Sequence, residues 1–368
     1  EKENCILISN GKNWVEQAAK DQLLAVSRLP GVVKAVGLPD LHPGRIPVGT
    51  AVLSRGILYP HLLGNDIGCG MSLFDTGIKK KKFKQEKWVS RLEAIRDLED
   101  ILFSDPYEEE CPIRDLGTLG GGNHFIELQE DQEGYLCIMI HSGSRHLGKA
   151  VCDYFHKKAR ELNNMWYSEV KEEHHLSFLP VQSKEGQQYI NWMNLSMDYA
   201  FENRARMLDK TCEIVKEQIE KHTGHSVEFG EEINCHHNYA SLENHYDANV
   251  WVHRKGATRV REGEMAVIPG AMGSYSYVVE GKGNPESFCT SSHGAGRNYS
   301  RSGAMKAFSV EQVILDLQEQ DVVLGKRKKK DVAEECRFAY KDIDQVMAQQ
   351  LDMVTPVRKL KTVGVVKG

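Results

Sequence analysis

The stretch SSHGAGRNYSR, residues 291–301, sets one histidine before a Gly-Ala-Gly turn, with Arg297 and Arg301 close behind. No neighbouring side chain is large enough to build an apolar pocket, so His293 reads as presented rather than packed. Glycine amides can approach an anion closely and arginine forks suit phosphate; a polar surface turn that happens to carry a histidine is the plain alternative. Four further windows carry ligand-type side chains. GNDIGCGM puts Asp66 and Cys69 on one glycine-lined turn, LGTLGGGNHFIE delivers Asn123 and His124 after three glycines, IMIHSGSRHLG ends an apolar run at His141 ahead of Arg145, and INCHHNYA carries His236, His237 and Asn238. If they converge, one thiolate, one carboxylate and several imidazoles suffice for one or two metal ions. The thiolate and imidazoles favour zinc, whereas the carboxylate and a nearby phosphate-type loop favour manganese or magnesium. His42 and His253 sit in similar glycine-bearing contexts and are candidates for the same cleft.

A phosphate or nucleotide pocket is completed by IPGAMGSYSYVV. Pro269, Gly270, Ala271 and Met272 form a turn whose amides can face an anion, and Ser276 adds a hydroxyl. There is no GxxxxGKS/T and no strand–GxGxxG–helix unit, so neither a P-loop nor a Rossmann site is supported.

The elements that must position these windows are legible from periodicity. β-branched and apolar runs predict strands at 47–53, 136–140, 248–253, 265–268 and 275–280, each ending beside one of the motifs. Apolar residues at three- and four-residue spacing predict helices over 145–165 and 187–223, with Ile190, Met193, Met197, Phe201, Met207, Ile214 and Ile219 as a core-facing stripe. Residues 309–351 also read as helical, before an extended VGVVKG tail. No linker or repeat divides the chain, so the expectation is one compact α+β domain over 1–368, with a mainly helical region at 145–225.

With 368 residues and 40% hydrophobic composition the chain has ample material for a core. A net charge of -5 excludes a generic basic nucleic-acid coat, so contact with a polynucleotide must come from local patches. The lysine runs at 79–84 and 326–330 are read as solvated faces before phosphate tracks. Nine cysteines without a CxxC pair fit free thiols in a reducing compartment, which points to the cytoplasm. No signal-like or membrane-spanning run is present, and no membrane partner is expected.

Taken in order, DIGCGM, GGGNHFIE, HSGSRHLG, HHN, HRKGATR, PGAMGSYSY, SSHGAGR and the terminal VVKG resemble the RtcB family of RNA-splicing ligases over most of the chain. The resemblance implies an α+β fold in which antiparallel sheets form a central metal-site cleft under packed outer helices. It implies a ligase dependent on GTP and two Mn2+ ions, joining RNA 3′-phosphate or 2′,3′-cyclic phosphate ends to 5′-hydroxyl ends in RNA repair or tRNA splicing. His293 matches the histidine that becomes guanylylated, and Asp66, Cys69, His124, His141 and His237 match the metal ligands. Asn123, His124, Phe125, Ile126, Glu127, His237, Asn238, the Pro269–Met272 turn, Ser276, His293, Gly294, Ala295, Gly296 and Lys367 are implied to hold the guanylate. Arg145 and Arg297 are inferred to bind phosphate. Ala271 stands where the family usually has serine, which removes one hydroxyl. Broken tRNA and cleaved rRNA are the competing substrates, and the sequence names no protein partner. Two other readings are a metal-dependent cyclic-phosphate hydrolase that stores no nucleotide and a non-catalytic RNA-binding protein; activity without GTP marks the first and binding without turnover the second.

Overall fold

The computed structural model describes residues 4–11, 14–102, 115–166, 168, 170, 176–223, 227, 229–325 and 329–368. Its architecture is α+β, built on two large sheets. The larger runs from edge to edge through Met265–Ile268, Tyr275–Gly281, Val354–Lys367, Phe125–Glu130, Tyr135–Ser142, Gly70–Lys79 and Glu232–His236; Val323–Gly325 lies parallel to the C-terminal strand, and every other pair is antiparallel. The second sheet orders Cys5–Leu7, Val32–His42, Val48–Ser54, Ala248–Lys255 and Asn238–His245. The five predicted strands are present, within one or two residues of their expected bounds.

Burial explains the sequence pattern. Strand Tyr135–Ser142 is buried from Leu136 onward because both faces of the sheet are covered, so it reads as an unbroken apolar run instead of an alternation. On one face, Ile126, Leu128, Ile138 and Ile140 pack against Trp88 and Val89 of helix Gln85–Leu102 and against Met207, Ile214 and Ile219 of helix Lys184–Thr223. On the other, Met71, Leu73, Phe125 and Met139 pack against Val267, Val278 and Leu360. The predicted stripe is buried at Met193, Met207, Ile214 and Ile219, but Phe201 is 48% exposed.

Two expectations are corrected. Residues 309–351 are not one helical region: Val310–Glu319 and Ile343–Ala348 are helices, and strand Val323–Gly325 lies between them. The VGVVKG segment is no tail. It belongs to Val354–Lys367, the strand that joins two halves of the larger sheet. The apolar alternation there is broken by a bulge between Thr362 and Gly364, which disguises the strand as a terminal extension.

Antiparallel pairing also decides where the motifs meet. Gly70 begins its strand opposite Ser142 and His236, Phe125 begins its strand opposite His141, and Lys367 ends the C-terminal strand opposite Phe125. All five strand ends therefore lie on one rim of the sheet. The windows expected to hold ligands are the residues that turn this rim. Lys80, by contrast, follows the far end of strand Gly70–Lys79 and pairs with Asp321 at 2.8 Å and Glu130 at 3.7 Å, so the first lysine run lies away from the rim. The second run falls largely outside the described residues. Among the described residues no helix is long and apolar enough to cross a membrane, and the eight cysteines are all free thiols.

Candidate active site

At the rim, Cys69, His124 and His141 bring Sγ, Nε2 and Nε2 within 4.8 Å of one another, all three side chains buried. Cys69 Sγ is 3.2 Å from His141 Nε2 and 3.6 Å from His124 Nε2; Asp66 Oδ2 lies 2.9 Å from His124 Nε2, and His237 Nε2 lies 3.3 Å from His141 Nε2. The second partners of the imidazoles fix their use. His124 Nδ1 meets the Leu119 carbonyl at 2.9 Å and His141 Nδ1 meets the Asn123 carbonyl at 3.1 Å, so each Nδ1 carries the proton and each Nε2 lone pair faces inward.

The electrostatics fit a cation. Burial holds His141 and His237 well below the usual imidazole value, which keeps them neutral and able to ligate. Burial would raise Asp66, but the His124 hydrogen bond and nearby imidazoles bring it down to about 2. Burial, with Asp66 alongside, pushes the Cys69 thiol well above its usual value. A divalent ion reverses that preference by binding the thiolate. His237 Nδ1 is moreover buried without a hydrogen-bond partner among the described residues. The donor set therefore suits a metal centre.

Beside this nest the His293 ring lies 4.8 Å from the His237 ring, centroid to centroid. Its Nδ1 is 2.7 Å from Asp40 Oδ2, and its backbone N–H donates to the same oxygen at 3.2 Å. Asp40 belongs to strand Val32–His42 and is fully buried, and its own N–H donates to Ser292 Oγ at 3.3 Å. A carboxylate on Nδ1 holds the proton there and leaves the Nε2 pair free.

Two further devices lock this pair. Gly296 has φ +75°, and a Cβ there would sit 2.3 Å from the Asp40 carbonyl oxygen, so the His293 loop rests directly on the Asp40 backbone. Lys341 ties both segments: its N–H donates to Gly296 O at 2.9 Å, while its buried ammonium donates to Leu41 O at 2.7 Å and Pro39 O at 3.3 Å. Gly296→Ala is expected to destabilise the protein by about 1–3 kcal/mol through the left-handed backbone and the collision. A thermal-melt comparison with Gly263→Ala, which also has positive φ but meets nothing within 4 Å, separates the collision from the backbone effect.

The cleft these groups share encloses about 300 Å³. Of the residues expected at the site, Asp66, Cys69, Asn123, Phe125, His141, His237, Asn238, the Pro269–Met272 turn, His293–Gly296, Arg297 and Lys367 line it. His124 joins through its contacts with Asp66 and Cys69. Ser276 stands behind the turn, accepting the Gly270 N–H at 3.1 Å. Ile126 is packed in the helix-covered core. Glu127 is buried beside Thr362, and burial lifts its carboxyl to about 7 against the pull of Lys367. Arg145 donates Nε to Thr118 Oγ1 at 3.1 Å, away from the cleft lining. Arg297 lines the cleft, but it donates to Tyr299 O at 2.9 Å, Glu335 Oε1 at 3.1 Å, Tyr340 Oη at 2.7 Å and Glu334 O, so its fork is largely committed to protein. His42 lines the cleft; His253 does not, its Nε2 accepting the buried Tyr59 N–H at 3.2 Å.

The sequence profile of a family described as tRNA-splicing ligase RtcB matches residues 22–100 and 98–368. The chain belongs to the RtcB family. It is 34% identical over 410 residues to the RNA-splicing ligase RtcB of Escherichia coli K12, spanning 96% of this chain and 95% of that one. RNA-splicing ligase RtcB homolog 1 of Entamoeba histolytica is 30% identical, with 94% and 83% of the two chains covered. The tRNA-splicing ligase RtcB of Methanococcus maripaludis is 28% identical, with 95% and 91% covered. Asp40, Lys341, Glu335 and Tyr340 are absent from the motifs that carry the RtcB resemblance, and they are what sequence reading misses. Asp40 had a signal, an acid two residues before His42 in LPDLHPG. Lys341 and Glu335 had none, because only the fold brings them to the cleft.

Proposed function

We propose that this chain is a GTP- and manganese-dependent RNA ligase that joins RNA 3′-phosphate or 2′,3′-cyclic phosphate ends to 5′-hydroxyl ends, acting as one catalytic unit over residues 1–368. The observation that carries the reading is the His293–Asp40 pair, 2.7 Å apart and set against a cation-ready Cys/His nest. Family membership and the RNA-splicing ligases among its relatives support the substrate class.

Asp66, Cys69, His124, His141 and His237 would hold two Mn2+ ions, which would neutralise phosphate charge and assist pyrophosphate departure. Asp40 keeps the proton on Nδ1 while His293 Nε2 forms a bond to the α-phosphorus of GTP, and pyrophosphate leaves. The guanylate is held by Asn123 and Phe125 on one wall, with Ile126 and Glu127 buried behind them, by Asn238, by the Pro269–Met272 turn with Ser276 behind it, and by Lys367. Lys367 lies beside the Phe125 ring, 5.4 Å from its centroid, so one wall offers an aromatic face and a cation to a base. A 2′,3′-cyclic end would first be opened by water, which adds to phosphorus as the 2′ P–O bond breaks, to give the 3′-monophosphate. An oxygen of the RNA 3′-phosphate then attacks the guanylate phosphorus; the P–N bond breaks and its electron pair returns to Nε2. The 5′-hydroxyl of the second RNA displaces GMP and closes the phosphodiester. Arg301, which lines the cleft and is half exposed, is the arginine placed to meet an RNA phosphate, and the free thiols suit the cytoplasm.

The test is the intact mass of the protein after incubation with GTP and Mn2+, beside His293→Ala. A gain of one guanylate on the wild type alone, removed by mild acid, is the expected result. No adduct on either protein with manganese bound would overturn nucleotide storage and favour a cyclic-phosphate hydrolase on the same metal nest.

A further inference from the structure

Next to the catalytic cleft lies a second recess of about 330 Å³, and the two share His42 and Arg297 in their walls. The recess is otherwise bounded by Glu16, Pro43, Tyr299 and Ser300 among others. Tyr299 is 44% exposed yet tightly held. The N–H groups of Asn298 and Tyr299 donate to Ala339 O at 2.9 and 3.2 Å, the Tyr299 carbonyl accepts from Arg297 Nε at 2.9 Å, and the ring packs edge-on against Phe308 at 5.3 Å. An aromatic ring carried on an anchored backbone, packed against one neighbouring ring and still 44% exposed, loses little entropy when something flat stacks on it.

Charge decides which part of a strand would enter. Glu16 disfavours a phosphate inside the recess, whereas Arg301 at the mouth of the cleft keeps half its side chain exposed, with only a 3.9 Å approach to Glu335. The backbone of a bound strand is therefore drawn to Arg301 and a base is left to turn into the recess. Resting on the ligase reading above, we propose that this recess is a base-binding subsite in which an unpaired terminal nucleobase of the RNA beside the break stacks on Tyr299, positioning its phosphate toward His293.

The test compares wild type, Tyr299→Ala and Tyr299→Phe. Guanylylation by GTP and Mn2+ should stay within about two-fold in all three, while KM for RNA in ligation should rise about ten-fold in Tyr299→Ala and be restored by the phenylalanine. An RNA lacking the terminal base on one side of the break should show the same ten-fold loss with wild type and no further loss with Tyr299→Ala. Additive losses with both abasic ends would overturn the proposal. So would a raised KM for GTP in Tyr299→Ala, because the base in the recess would then be the guanine of the nucleotide. Fluorescence-anisotropy affinities for the same RNAs without GTP keep the subsite testable on its own. If the wild type forms no adduct but the non-additivity in affinity remains, the ligase reading fails and the subsite stands.

Discussion

Asp40→Asn is expected to slow guanylylation of His293 by about 10³–10⁴-fold, the size of effect seen when a carboxylate that orients a catalytic imidazole becomes an amide. The amide keeps the volume of the buried side chain but can donate to Nδ1, which selects the tautomer with its proton on Nε2, the nitrogen that must attack. Asp40 Oδ2 accepts both contacts, 2.7 Å to Nδ1 and 3.2 Å to the His293 N–H; an amide nitrogen in that position donates to Nδ1 and loses both acceptances, while an amide oxygen there keeps them but brings no charge to stabilise a cationic ring. Single-turnover appearance of the guanylate adduct measures the rate. GTP affinity should stay within a few-fold, since Asp40 does not line the cleft. The ¹⁵N shifts of the His293 ring, identified by difference from His293→Ala, should move from the Nδ1–H to the Nε2–H pattern. A rate loss with unchanged ring shifts would show that Asp40 acts through its charge and not by selecting the tautomer.

Arg254→Met is expected to destabilise the protein by about 3–5 kcal/mol, because it leaves Glu243 charged and buried without its partner. Arg254 is fully buried; it donates to Glu243 Oε2 at 3.1 Å, to Thr290 Oγ1 at 3.0 Å and to Phe288 O at 3.0 Å. Phe288 and Cys289 both have left-handed backbones, φ 57° and 51°, immediately before the strand that presents His293. The guanidinium thus anchors a strained turn as well as a carboxylate. Urea unfolding measures the loss, and Arg254→Met with Glu243→Gln should recover part of it. The pair also sets a pH dependence. Burial opposes ionisation of Glu243, but Arg254 overrides it and brings the carboxyl down to about 2. A carboxyl with a depressed folded pKa contributes stability that is fully present above its unfolded value and fades as pH falls toward 2. The stability of wild type should therefore drop between about pH 4.5 and 2 more steeply than that of the double variant.

The chemistry of the site was more legible in the sequence than its support. Asp66, Cys69, His124, His141 and His237 were readable because glycines and strand ends flank them, and antiparallel registry then forces those ends to one rim. The choice of His237 over His236 agrees with the geometry, since His236 Nδ1 turns to the Gly68 carbonyl at 2.9 Å while His237 Nε2 faces His141. Ile126 fell in the right motif but on the wrong face, because side chains alternate along a strand and only Phe125 points to the cleft. Arg297 was expected to be free for phosphate, and a composition-based reading has no access to Glu335 and Tyr340, 38 and 43 residues away, which occupy it. Lys341 could not be found from sequence at all. Its role depends on three carbonyls supplied by two distant segments.

The placement of Val354–Lys367 in the middle of the larger sheet bears on how the protein comes to exist during synthesis. Cys69, His124, His141 and His237 are all synthesised long before the ribosome reaches residue 354, so the proposed metal ligands can meet on the emerging chain. Strands Phe125–Glu130 and Tyr275–Gly281 are bridged in the sheet by that late strand. It also carries Lys367, so the lysine proposed to grip the nucleotide is delivered after every proposed metal ligand. Pairings this remote in sequence form slowly. Under the proposed mechanism, a nascent chain would thus acquire metal before it could acquire guanylate, and an interrupted translation product would be left able to sequester ions yet unable to charge itself.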